Sequence, residues 1–318
     1  MSIEQSLRGG GGSWWANVNR NWLRNKKEYL AFLAFVAPNL ILFGVFTYWP
    51  IVYSIYLSFL KWNFLTPLSQ FVFFENYSRL FSDPDFWTVT KNTLTYALSV
   101  VIIAQSLAFF LAILLNRRVF GRTFFRTVAF TPHITTTAAA ALVWAFVLNP
   151  SFGPLSYIYS TLGVPGINWL NNVALALWAI VIVGTWKEIG FASVFFLAGL
   201  QGINKEYFEA ARVDGASGWA ILRHITLPLM TPVIFFLSVS GFIAAIKAFD
   251  IVAIMTEGGP VYPASSTYVF HLYQLAFRNF RAGYASAFAL VFFVIMIILT
   301  IFQIKGSERW VHYEGGEK

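Results

Sequence analysis

The 318-residue chain contains no cysteine. Disulfides, thiolate-held zinc and iron–sulfur sites are therefore excluded, and the redox compartment is left undetermined. Charge is equally scarce: 11% of residues are charged, against 58% hydrophobic and 19% aromatic. No soluble globular domain has so little polar surface, so the chain is an integral membrane protein. There is no glycine-rich loop ending in Gly-Lys-Ser or Gly-Lys-Thr, so the chain does not hold and hydrolyse ATP in the usual way. The four histidines, His133, His224, His271 and His312, lie far apart without metal-ligand spacing. No acid, base and nucleophile set stands out either, so neither a metal site nor a catalytic residue is expected.

What the chain does have is apolar runs. Residues 29–60 carry no charge over 32 positions, more than the roughly 20 residues a helix needs to span a bilayer. Pro50 is expected to divide this run into a first span at 30–49 and the start of an external segment at 51–60. Five further spans are expected at 92–115, 125–148, 173–198, 230–255 and 284–304. The fold class is thus all-α, a polytopic membrane protein with six transmembrane helices. Residues 1–28 are not a cleaved signal: a flexible Gly run at 9–12 precedes Arg20, Arg24, Lys26 and Lys27, interleaved with Trp14, Trp15 and Trp22, as in a segment lying at a lipid surface. The organisation expected is an N-terminal segment 1–28, a membrane domain 29–304 with a distinctive loop at 201–228, and a tail 305–318.

The net charge of +8 would suggest nucleic acid in a soluble protein. Here fifteen Lys and Arg residues fall in the N-terminal segment, the 116–126 turn, the 201–228 loop and the tail, against five in the loops on the other side. The positive-inside rule explains this bias without nucleic acid, and it places both termini and the 201–228 loop in the cytoplasm. Small residues grouped at 135–141 suit close helix packing. Trp49, Trp62, Trp87 and Trp169 read as interfacial anchors.

The 201–228 loop is the most polar patterned stretch. Asn204 can cap a helix beginning at Lys205, with Glu206 and Glu209 favoured at its positive end. Gly215, just past Asp214, can take the left-handed conformation that closes it, and Ser217 can cap a second helix from about Gly218 to Ile225. Pro228 then ends that helix or bends it into the next. A loop of this kind could also be no more than a connection whose Glu209 pairs with Arg212 or Lys205 on its own helix.

The pattern Glu209-Ala210-Ala211, three residues, Gly215, nine residues, Ile225-x-Leu227-Pro228 resembles the signature cytoplasmic loop of binding-protein-dependent ABC importer permeases. Further anchors extend the resemblance over nearly the whole chain from Ala31: Asn76-Tyr77, Pro132, Trp144, Asn149-Pro150, Gly153, Trp186, Gly190-Phe191, Phe249-Asp250 and Gly258-Gly259-Pro260. Together they are similar to the carbohydrate-type permeases that include maltose, trehalose and glycerol-phosphate uptake systems. The chain departs from the usual pattern at Asn204, Glu188 and Lys247. The resemblance implies a type I ABC importer transmembrane domain in a bacterial plasma membrane. It implies a second homologous permease subunit, two ATPase subunits holding ATP and Mg, and an extracytoplasmic solute-binding protein as partners, with no cofactor bound by this chain. Coupling to the ATPases would fall to Glu209, Ala210, Ala211, Asp214, Gly215, Ile225, Leu227 and Pro228.

Ionisable residues inside spans are functional candidates, since each costs about 2.5 to 3.5 kcal/mol to insert. Four qualify: Lys187, Glu188, Lys247 and Asp250. Lys247 and Asp250, three apart, are expected on one helix face, either neutralising each other or bonding sugar hydroxyls or a phosphate. Lys187 and Glu188 are adjacent and point differently. An ion-coupled secondary transporter is the rival class, but no internal repeat is evident.

Overall fold

The computed structural model describes residues 26–117 and 120–307. Arg118 and most of the two terminal segments lie outside them. Packing divides the chain into two units, Met1–Leu57 and Ser58–Lys318.

The described part of the first unit is almost entirely one helix, α1, which runs over Glu28–Ser58 and ends just past the unit boundary. It does not divide at Pro50 as the sequence suggested. Residues Gly44–Tyr48 form a π turn, with the Trp49 N–H bonded to the Gly44 carbonyl. Proline lacks an N–H and its ring crowds the carbonyl four residues back. That carbonyl belongs to Phe46, inside the wider turn, so the helix continues through the proline. Its side chains are apolar and largely exposed, among them Leu30, Phe35, Phe46 and Trp49, as in a helix surrounded by lipid or other chains.

The second unit opens with a short hairpin, β1 (Leu60–Lys61) and β2 (Gln70–Phe71), pairing Leu60 with Phe71. Helices follow: α2 (Glu75–Ser82), α3 (Pro84–Asn116), α4 (Arg122–Ile134), α5 (Thr137–Val147), α6 (Pro154–Thr161) and α7 (Ala176–Gly202). Then come α8 (Lys205–Val213), α9 (Gly218–Leu229), α10 (Thr231–Ile246), α11 (Asp250–Met255), α12 (Tyr268–Tyr273) and α13 (Ala282–Ser307). α1, α3, α7 and α13 are long and apolar enough to cross a membrane; α4 with α5 and α9 with α10 are pairs bent by 100° and 61°. Each bent pair counted once, the candidate crossings among the described residues number six.

The core of the second unit is α3 against α7, running in the same direction. Tyr96, Ala97 and Val100 meet Ala179, Ile180 and Val183 near one end. Ala108, Ala112 and Leu115 meet Phe196, Leu200 and Ile203 near the other. Buried Ala97, Ala104, Ala108 and Ala112 recur at one or two helical turns along one face of α3. Where lipid removes the hydrophobic gain of association, such small residues let backbones approach for van der Waals contact. α4 comes closer still: a Cβ on Gly190 of α7 would lie 2.2 Å from the Ala129 carbonyl oxygen.

Around the N-terminal end of α3, Leu80 of α2 and Phe86 and Val89 of α3 pack with Tyr268, Leu275, Tyr284 and Phe288. The 256–281 segment is tied down by polar bonds: Asn92 Nδ2 donates to the Pro263 and Ala264 carbonyls at 2.9 and 3.1 Å, and Thr93 Oγ1 accepts from the Tyr268 N–H at 3.0 Å. His271 is buried here at 3% exposure and bonds the Tyr262 hydroxyl. Burial pushes its imidazole down from 6.5 to about 4, only partly opposed by Asp83, while burial raises Tyr262 to about 12.

His271 therefore folds neutral, and between about 6.5 and about 4 the unfolded chain binds more protons than the folded one. Its contribution is intact above pH 6.5 and is lost as pH falls towards 4, by up to roughly 3 kcal/mol. His271→Gln is expected to flatten the acid limb of thermal stability measured between pH 7 and pH 4.5. An identical acid limb in both proteins would contradict this.

Candidate functional site

Two breaks in the spans frame a cavity. The single helix expected over 125–148 is instead α4 and α5, because Thr135 and Thr136 turn to extended backbone (ψ 136° and 143°). Thr136 Oγ1 accepts from the Ala139 N–H at 3.3 Å and starts α5. Carbonyls at the end of α4 are met from α7, where Lys187 Nζ donates to Pro132 O at 3.2 Å and Thr135 O at 2.5 Å. The helix expected over 230–255 is also corrected: α10 ends at Ile246, and Phe249 leaves helical geometry (φ −124°) before α11. The Ala248 carbonyl accepts from Thr267 Oγ1 at 2.8 Å.

This second break overturns the expectation that Lys247 and Asp250 share a helix face. Lys247 closes α10 and Asp250 opens α11, and no ion pair joins them; among the described residues the one ion pair is His133 with Glu188, at 3.8 Å. Both breaks line one cavity of about 410 Å³, and all four intramembrane charges, Lys187, Glu188, Lys247 and Asp250, sit on its wall. Lys187 is engaged by backbone carbonyls and Glu188 faces His133, while Lys247 and Asp250 line the cavity without an ion pair between them, with Thr136 nearby.

The sequence reading missed His133. Its ring stacks on Phe191 at 4.7 Å between centroids and its Nδ1 faces Glu188. The available signal was its place inside an apolar span, the criterion already applied to the four charges; it was weighed only as a metal ligand. Among the described residues no cluster of three or more metal-ligating side chains occurs.

The 201–228 loop lies at the far end of α7. Asn204 Oδ1 accepts from the Glu206 N–H at 3.1 Å and starts α8. Gly215 takes φ +76°, and the Ala216 N–H returns to the Ala211 carbonyl at 2.9 Å. A side chain there would be strained by about 1 to 2 kcal/mol. Ser217 Oγ then accepts from the Ala220 N–H at 3.2 Å and starts α9, which carries a π turn over Leu222–Thr226 and runs past Pro228 before the 61° bend into α10. Phe208 anchors α8 to the core, and Ile225, Leu227 and Pro228 are half-buried. Glu209, Ala210, Asp214 and Gly215 are exposed and Ala211 half-buried; no ion pair involves Glu209 among the described residues. Tyr207, Val213 and Trp219 add exposed apolar surface that the sequence reading did not single out.

Six crossings, a polar cavity between broken helices and an exposed helical loop describe a solute-conducting membrane component. The chain belongs to the family of binding-protein-dependent transport system inner membrane components, whose model matches residues 104–305. It is similar to the sn-glycerol-3-phosphate transport system permease protein UgpA of Brucella abortus, at 34% identity over 280 residues, covering 87% of this chain and 94% of that protein. It is also similar to the trehalose/maltose transport system permease protein MalF of Thermococcus litoralis, at 33% identity over 285 residues, covering 89% and 95%. A crystal structure of a bacterial ABC transporter involved in the import of the acidic polysaccharide alginate superposes with TM-score 0.79 at 26% identity, covering 91% of this chain and 99% of that one. The fold is that of a type I ABC importer transmembrane domain, and the chain is a permease, not an enzyme. An ion-coupled secondary transporter is not favoured.

Replacing Lys187 by Met removes the partner of two carbonyls at the break between α4 and α5. Each orphaned group costs about 1 to 3 kcal/mol. Lys187→Met is expected to lower the melting temperature of the purified protein by several degrees, with Lys187→Arg intermediate. Wild-type stability in Lys187→Met would show that other groups hold the break.

Proposed function

We propose that this chain is one of two homologous permease subunits of an ATP-driven importer, carrying a carbohydrate or related polyol or glycerol-phosphate compound delivered by an extracytoplasmic solute-binding protein. The observation that carries the reading is the connectivity of the exposed loop. α8 follows α7 through Ile203 and Asn204, and α9 continues into α10. Both α7 and α10 contribute to the cavity wall. A partner that grips the loop therefore acts on two helices that shape the solute cavity, and differential grip in two states shifts the population between cavity conformations.

In this reading two ATPase subunits, which hold ATP and Mg, each receive one such loop. Glu209 makes a charge-assisted contact in the ATPase groove. Ala210, Ala211 and Asp214 line the corner, Gly215 makes the turn, and Ile225, Leu227 and Pro228 fix the loop to the fifth span. The chain itself binds no cofactor. Glu188, Lys247 and Asp250 face the solute, and Lys187 holds the wall. Fifteen Lys and Arg residues against five support placing the loop and both termini in the cytoplasm.

Glu209→Lys is expected to weaken ATPase co-purification by about ten- to a hundred-fold, the equivalent of losing one charge-assisted bond. Gly215→Val is expected to do so through backbone strain, while both variants still insert. An acidic replacement of the basic groove residue should rescue Glu209→Lys alone. A cysteine replacing Lys205 should label only from the cytoplasmic side, and one replacing Ser160 only from outside. Wild-type co-purification and solute-stimulated ATP hydrolysis in Glu209→Lys would remove this residue from the coupling contact.

A further inference from the structure

A second cavity, of about 340 Å³, lies beside the β1–β2 hairpin near the N-terminal ends of α3 and α13, away from the α8–α9 loop. Three cations from separate stretches line it, Lys61, Arg79 and Arg281, and no acidic residue does. None of the three is in an ion pair among the described residues. The nearby Asp83 is already engaged: Oδ2 accepts from the Tyr284 hydroxyl at 2.9 Å and Oδ1 from the Asp85 N–H at 3.0 Å. The Arg79 guanidinium instead lies over the Tyr284 ring, 5.6 Å from its centroid.

The walls are built independently of these cations. Buried Asn76 donates to the Ser58 and Leu60 carbonyls at 2.8 and 2.9 Å, fixing α2 against the hairpin. The Gly283 N–H bonds the Trp62 carbonyl at 3.2 Å, tying the hairpin to the start of α13. Phe280, also in the lining, holds φ +53°, a conformation a bulky residue adopts only where its surroundings impose it. Its neighbours impose it, with the Asn279 N–H on the Gln274 carbonyl at 2.8 Å and the Arg281 N–H on Leu275 at 2.9 Å.

We propose that this cavity is an anion site that takes a phosphate group, from either a lipid headgroup or a free phosphate compound. The three cations are exposed to solvent at the cavity, and none is in an ion pair among the described residues. Two guanidinium forks and an ammonium match the several acceptor oxygens of a phosphate group, whether the singly charged diester of a lipid or the more highly charged free phosphate. Only the side of the membrane on which the site opens rests on the proposed orientation.

The absence of native cysteine makes the test direct. The lining residue Asn279 is replaced by Cys, with Leu68→Cys as a second reporter should the first variant fail to fold. Maleimide labelling of the permease is then followed in the full transporter in phosphatidylcholine nanodiscs. Inorganic phosphate is expected to slow labelling several-fold relative to chloride at equal ionic strength. The slowing should vanish in Arg79→Gln with Arg281→Gln and survive in the corresponding Lys variants. If the headgroup is the natural source, phosphatidylglycerol in place of phosphatidylcholine slows labelling without added phosphate; if it is not, only phosphate does. Labelling indifferent to both overturns the proposal, as does a slowing that persists in the Gln variants. Protection only by the purified solute-binding protein would make the cavity a protein contact and also overturn it.

Discussion

A backbone N–H or C=O in the hydrocarbon region must find a partner within the protein, since water is absent and an orphan costs several kcal/mol. A continuous helix meets the requirement by itself. A broken helix does not, and two of the six candidate crossings among the described residues are bent pairs. The break between α4 and α5 borrows an ammonium from α7, and the one between α10 and α11 a hydroxyl from the 256–281 segment. These side chains permit irregular backbone at the depth where a solute needs polar surroundings. Without them the Pro132, Thr135 and Ala248 carbonyls at the two breaks would lose these donors.

Close packing supplies the rest of the frame. The alanine stripe of α3 and the small residues of α7 bring two long helices together without any bulky intermediary. Gly190 lets α4 lie against α7, which puts its end within reach of Lys187. A helix pair held this tightly behaves as a single lever, so a displacement at the Ile203 end is carried to the cavity end. In the proposed function this packing is the physical link between the exposed loop and the cavity. It depends on packing density along α7 rather than on any one polar contact.

Much of this was legible in the sequence because it is local. Span count follows from apolar runs and the caps at Asn204 and Ser217 from side-chain chemistry. The left-handed Gly215 follows from its place after a helix end. What was not legible is what one segment does to another. The partners of Lys187 are more than fifty positions away, so an ammonium in a span is legible but its occupation is not. The spacing of Lys247 and Asp250 was read as helical because nothing local announces the break; the hydroxyl that satisfies it comes from Thr267. Pro50 misled in the opposite sense, since the π turn that absorbs it has no sequence signature. The cavity gathers all four charges, and His133, which lies inside an apolar span as they do, joins them through Glu188.

The π turn at Leu222–Thr226 fixes a phase relation. It holds one residue more than an α turn would, and each helical residue turns the chain by about 100°. The nine residues between Gly215 and Ile225 thus set an angle as well as a distance. A loss inside the π turn can be absorbed by a return to α geometry, whereas losing a helical residue outside it would keep every named side chain yet rotate the corner at Gly215 by about a quarter turn relative to the fifth span. A loop correct in composition would then present the wrong face, and insertions or deletions within this interval outside the π turn should be tolerated far less than substitutions at its exposed positions.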